Sequence, residues 1–183
     1  KNAGMLWATY RADPWTKKTL ENGLNPELAA KAGNALQKYV IENTRLGIPL
    51  FLAEEAPHGH MAIGTTVFPT GIGMAATWSP VLIEEVGNVI AKEIRSQGAH
   101  ISYGPVLDLS RDPRWSRVEE TFGEDPVLSG RLGAAMVIGL GSGDLSREYA
   151  TIATLKHFLA YAVPEGGQNG NYASVGTRDL HEN

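Results

Sequence analysis

The feature that most constrains this chain is a helix-starting device used three times. Asn25-Pro26, Ser79-Pro80 and Asp125-Pro126 each place a capping side chain directly before proline. The polar side chain satisfies first-turn N–H groups that lack a helical partner, and proline there gives up an N–H that the helix does not need. Apolar residues follow each start at helical spacing. They are Leu28, Ala32, Ala35, Leu36, Tyr39 and Val40 in the first helix, then Leu82, Val86, Val89, Ile90 and Ile94 in the second. The third has Leu128, Leu132, Ala135 and Met136. Gly47, Gly98 and Gly139-Leu140-Gly141 close the three segments.

Between these helices lie short apolar runs of strand length: residues 3–9, 48–53, 99–109 and 151–155. Continuously apolar strands joined by helices indicate a parallel sheet covered on both faces. The expected fold is α/β, with about four parallel strands and three intervening helices. It fits either the first half of a TIM-type (β/α)8 barrel or a small doubly wound sheet. Residues 178–182 read as the start of a further helix, cut short. In both folds, sites gather at the carboxyl ends of the strands, and the charges of this chain stand there. Glu54 and Glu55 follow the second run, Asp108 to Arg117 the third, and Lys156-His157 the fourth.

A length of 183 residues with 43% hydrophobic composition suits one domain with one core. The net charge of −4 and the absence of a Lys/Arg cluster argue against a nucleic-acid partner. No apolar run is long enough to span a membrane, and residues 1–20 lack a signal-peptide core. Without cysteine there is no thiolate or disulfide chemistry.

Several motifs invite sharper readings. Gly71-Ile-Gly73-Met-Ala-Ala76 has the G-x-G-x-x-A spacing of a dinucleotide site, but the helix start at Ser79-Pro80 comes too late to face a pyrophosphate, so it reads as a tight turn. His58-Gly59-His60 at a strand end would suit a metal-dependent hydrolase. No further histidine-plus-carboxylate cluster has ligand spacing, so the simpler reading is one buried, hydrogen-bonded histidine and one solvated. Residues 108–125 hold Arg111, Arg114 and Arg117 among six acids. As surface pairs, each would contribute under ~1 kcal/mol. Trp115 in their midst is not what a solvated face needs, which favours a polar pocket wall. Lys156 and His157 leave an apolar strand, and neighbours on a strand point to opposite faces. Both reach one site only if the backbone bends there.

Taken together, RLGIP (45–49), EEAPHG (54–59), TVFP (66–69), DLSRDPRWSRVEETFGED (108–125), KHF (156–158) and PEGG (164–167) resemble, in order and in spacing, the N-terminal barrel of family 3 glycoside hydrolases. The resemblance implies a partial N-terminal barrel domain over 1–183, belonging to an exo-acting, retaining β-glucosidase or β-xylosidase. It implies that Glu55, Arg117, Lys156 and His157 hold the terminal sugar of a β-linked oligosaccharide or aryl β-glycoside, with no cofactor and no metal. Asp108, Arg111 and Asp112 would keep the loop in shape, and Asp125 would cap a helix.

There are two departures from the family pattern. Ser116 stands where the family usually has glycine, and Glu55 stands where many of its glucosidases carry aspartate; the extra methylene would favour pentoses. The family's nucleophile lies in a Ser-Asp-Trp-like motif, and no Ser-Asp dipeptide occurs here. The expectation is a substrate-binding part without either catalytic carboxylate, inactive alone, periplasmic or secreted. Its open sheet edges would contact the rest of its barrel or another copy. The alternatives are the metal-dependent hydrolase on His58 and His60, and a non-catalytic sugar-binding fragment.

Overall fold

The computed structural model describes residues 3–182. Its strands are β1 (Met5–Trp7), β2 (Phe51–Glu55), β3 (Ile101–Tyr103) and β4 (Ile152–Ala153), and its helices are α1 (Pro26–Asn43), α2 (Gly71–Ala75), α3 (Pro80–Ser96), α4 (Pro126–Leu140) and α5 (Thr177–Glu182). The strands form one parallel sheet in the order β1-β2-β3-β4. Consecutive parallel neighbours joined by helices give the β/α progression expected of a barrel half, not the reversed order of a doubly wound sheet.

The three cap-plus-proline starts form as the sequence predicts. Asn25 Oδ1 accepts from the Leu28 N–H at 3.0 Å, and Ser79 Oγ accepts from the Leu82 N–H at 3.3 Å. Asp125 Oδ1 accepts from the N–H groups of Val127 and Leu128 at 2.7 and 3.0 Å. The Gly71 segment folds as the short helix α2 instead of a turn. Its first residue lies tight against the Glu120 and Thr121 backbone carbonyls, where a Cβ would not fit.

Helix faces differ in detail from the spacing argument. In α1 the buried positions are Ala29 and Gly33, whereas Leu28 and Tyr39 are 45% and 65% exposed. The side chain of Gln37 docks this helix by bonding both the N–H and the carbonyl of Leu50, each at 2.8 Å. In α3 the inward stripe is Ile83, Val86, Gly87, Ile90, Ala91 and Ile94, one position round from Leu82 and Val89. In α4 Leu132, Ala135 and Met136 are buried as predicted, with Leu140. Helices α3 and α4 cross where glycine meets glycine. A Cβ on Gly87 would come within 2.9 Å of the Met136 carbonyl oxygen, and one on Gly139 within 3.0 Å of the Gly87 Cα. That approach lets Ile90, Leu132, Met136 and Leu140 join one buried cluster.

The sheet has two unlike faces. Register alternates side chains, so Leu6, Leu52, Glu54, Ser102 and Ala153 point towards the helices. Leu6, Leu52 and Ala153 join the core there. Met5, Trp7, Phe51, Glu55, Tyr103 and Ile152 occupy the other face, where Trp7 and Phe51 are 54% and 49% exposed. The run at 3–9 is therefore an edge strand and not the buried one expected. Residues 104–109 and 154–155 leave the strands early, and only a single parallel bridge, Val106 to Lys156, continues the pairing.

Candidate functional site

The polar side chains meet on the second face, at the carboxyl ends of β2, β3 and β4. Glu55 ends β2 and accepts from Lys156 Nζ at 2.8 Å, with both side chains about nine-tenths buried. Tyr103 pairs with Glu55 in register, and Lys156 Nζ lies 6.0 Å from its ring centroid. On its far side Tyr103 stacks with Trp7 at 6.3 Å. The intervening Ala53 is small enough to let the two rings meet across β2.

His157 is held by Asp108. One carboxylate oxygen accepts from the His157 backbone N–H at 3.0 Å and contacts ring Nδ1 at 2.7 Å. A carboxylate against Nδ1 keeps a proton on that nitrogen and leaves Nε2 for a ligand. Strand β4 ends at Ala153; Lys156 keeps one bridge to Val106, and His157 follows outside any strand. The peptide bonds Gly104–Pro105, Lys156–His157 and Phe158–Leu159 are cis.

Arg117 makes a fork to Glu120, with Nε and Nη2 donating at 2.6 and 2.7 Å. Its third nitrogen donates to the Tyr161 hydroxyl at 3.3 Å. The Glu120 bond holds the guanidinium firmly in its charged form. Burial alone would raise Glu120, but the Arg117 charge outweighs it and keeps the carboxyl below its ordinary range. Trp115 is buried and donates its indole N–H to Asn169 at 2.9 Å, so the tail loop folds back on the arginine loop. Gly167 makes this possible: its φ is +71°, and a Cβ would strike Arg114. Arg114 itself pairs with Asp112 at the exposed rim and holds that carboxyl down to about 2.

Glu55 thus meets Lys156, and the next residue, His157, is linked to Arg117 through Tyr161. Arg117, His157, Tyr161 and Asn171 border an open hollow of about 330 Å³, within the size range of small-ligand sites. The sequence points to Asp108 only as a loop support and does not single out Tyr161 or Glu120. Asp108 carried a signal in its place at a strand end; Tyr161, in an apolar HFLAY run, carried none.

The histidines at 58 and 60 do not converge on a metal. His60 turns into the core beside Tyr10, at 6.5 Å between rings. Burial drives its pKa down to about 4, with Gln97 opposing weakly. Among the described residues no three His, Cys, Asp or Glu side chains are grouped to hold an ion.

Four β/α steps with their charges gathered at the carboxyl ends define a barrel segment that presents a polar wall. The chain belongs to glycoside hydrolase family 3: residues 18–183 match the family described as "Glycosyl hydrolase family 3 N terminal domain". It is 36% identical over 145 residues to the "Periplasmic beta-glucosidase" of Salmonella typhimurium, covering 79% of this chain and 18% of that protein. It is 40% identical over 148 residues to a "Beta-xylosidase" of Formosa agariphila, covering 76% and 20%. Among solved structures, a β-glucosidase from Listeria innocua in complex with glucose superposes with a TM-score of 0.83 at 32% identity, over 98% of this chain and 22% of that one. A β-glucosidase involved in saponin metabolism from intestinal bacteria gives 0.80 at 36% identity, over 97% and 21%. The chain spans about a fifth of the length of these relatives. The strands and helices are those of the first half of the family's (β/α)8 barrel.

Proposed function

We propose that these residues form the substrate-binding part of an exo-acting, retaining β-glycosidase that releases terminal β-D-glucosyl residues. The observation that carries the reading is that the adjacent residues Lys156 and His157 join two sets of contacts, Glu55–Lys156 and His157–Tyr161–Arg117. A sugar ring needs fixed donors and acceptors around its rim. Hydrogen bonds to charged groups contribute about 1.5–3 kcal/mol each, and they strengthen as charge develops on the ring. Lys156 and Arg117 supply donors, Glu55 an acceptor, and His157 the Nε2 that Asp108 leaves free.

The chemistry itself needs two carboxylates about 5–5.5 Å apart, one as nucleophile and one as acid/base. Glu55, Asp108 and Glu120 are each already engaged by Lys156, His157 and Arg117. The reading assigns both catalytic carboxylates to parts of the full-length polypeptide outside residues 1–183. The apolar face of Trp7, Phe51 and Ile152 would be covered by the remaining barrel or by another copy. The periplasmic β-glucosidase relatives favour a periplasmic or secreted location, and no described helix is long and apolar enough to cross a membrane.

A β-xylosidase is the second reading, favoured by Glu55, whose added methylene carries its carboxylate as far as Lys156. The full-length polypeptide should hydrolyse 4-nitrophenyl β-glycosides with retention of configuration, and residues 1–183 alone should not. Inversion, or turnover by the isolated segment, would overturn the proposal. Glu55→Asp should raise the ratio of glucoside to xyloside turnover; an unchanged ratio removes the pentose argument.

A further inference from the structure

One ring joins the two stretches of chain that build the wall. Tyr161 stands four residues beyond His157. Its ring lies edge-on to His157 at 4.7 Å and to Trp115 at 5.4 Å. The Arg117 guanidinium carbon sits 5.2 Å from the same ring centroid, and Arg117 donates to its hydroxyl at 3.3 Å. Glu120 is only three residues from Arg117, so their fork fixes the guanidinium relative to its own loop and nothing else. Tyr161 belongs to the segment that follows β4. It ties the Arg117 side chain directly to the segment bearing Lys156 and His157.

Resting on the sugar-binding reading above, we infer that Tyr161 is a positioning residue that sets Arg117 and His157 at the separation and tilt a single pyranose ring requires. Its two parts do different work. The ring meets His157 and Trp115 edge-on, a favoured aromatic geometry, and so limits how far the imidazole can swing about its Asp108 bond. The hydroxyl accepts from the third guanidinium nitrogen and fixes the side of Arg117 that Glu120 leaves free. Loss of the hydroxyl should loosen Arg117 alone, and loss of the ring should loosen both.

The test uses the full-length polypeptide and an aryl β-glycoside, with kcat and KM measured for Tyr161→Phe, Tyr161→Ala, Arg117→Ala, Lys156→Ala and the double variant Tyr161→Phe/Arg117→Ala. Tyr161→Phe should raise KM about fivefold to tenfold, just under the tenfold or more of a full-strength hydrogen bond to a charged group, because this one is long at 3.3 Å. Tyr161→Ala should raise it about a hundredfold. In the Arg117→Ala background, Tyr161→Phe should change KM by less than about twofold, because its partner is gone. If Tyr161→Ala does not fold, Tyr161→Phe and the double variant decide. An undiminished Tyr161→Phe effect without Arg117 would show a merely structural role and overturn the inference. So would Tyr161 variants that match wild type while Arg117→Ala and Lys156→Ala lose affinity. If Arg117→Ala and Lys156→Ala also match wild type, the sugar-binding reading falls and takes this one with it.

Discussion

Glu54 and Glu55 are consecutive on β2, yet the face each one points to gives it a different chemistry. Glu54 faces the helices and is fully buried; one oxygen accepts from the Tyr10 N–H at 3.1 Å and the other has no hydrogen-bond partner among the described residues. Burial, opposed by that backbone bond, pushes its carboxyl up to about 7. Glu55 faces the open side and meets Lys156 at 2.8 Å. The helix-covered face excludes water and neutralises an acid by desolvation. On the open side Glu55 and Glu120 each lie against a cation, Lys156 and Arg117. Substitutions on the first face should therefore read out as stability, and those on the second as ligand affinity.

The strongest attempt to break that division is Leu132→Ala in the α3–α4 interface. It should lower stability by about 2–5 kcal/mol in denaturant titrations of the full-length polypeptide while leaving KM within about twofold. A large change in KM would show that the two faces are coupled.

Glu54→Gln tests the same face through pH. An acid whose folded pKa of about 7 exceeds its unfolded value near 4.5 adds stability at low pH that is lost as pH rises between those values. The variant should thus be more stable than wild type at pH 8, by roughly 3 kcal/mol, and equal to it below about pH 4.5. Parallel curves would contradict the burial argument. His60 slopes the other way, since its depressed pKa removes stability as pH falls from 6.5 towards about 4. The difference between wild type and Glu54→Gln isolates Glu54 from that background.

On the open face, Asp108→Asn keeps the shape but removes the charge that holds His157 Nδ1. KM should rise about tenfold or more with little change in thermal stability, in line with the ~1.5–3 kcal/mol of a charged hydrogen bond. A loss of stability with KM unmoved would reassign Asp108 to loop support. The smallest effect is expected from Asp125→Ala, which removes the α4 cap and should cost about 1 kcal/mol with no effect on KM.

Much of this arrangement is legible in the sequence. Cap-plus-proline signals are local, so Asn25, Ser79 and Asp125 could be read from three residues of context. Apolar runs alternating with those starts indicate a parallel β/α sheet, and the family resemblance picks the barrel half over a doubly wound one. Three details were not local. Leu28 and Tyr39 of α1 are exposed because the stripe that packs inward is the small one, Ala29 and Gly33, and small residues carry little periodic signal. Met5 and Trp7 were read as buried because an apolar run does not say whether a second layer covers it. Tyr161 went unnoticed because its partners lie 44 and 46 residues away in the chain, at Arg117 and Trp115. The four residues given to sugar by resemblance do come together, but the tyrosine that links two of them could be found only in three dimensions.

The pairing of Lys156 and Arg117, each with its own acid, has a consequence for how a ligand arrives. Glu55 balances Lys156 and Glu120 balances Arg117, so these two cations project almost no net positive field into solvent. A charged patch would draw its ligand from a distance and lose that pull as salt is added. This surface has no such reach. It suits an uncharged ligand that diffuses in unaided and is recognised only on contact, and its capture rate should be nearly indifferent to ionic strength.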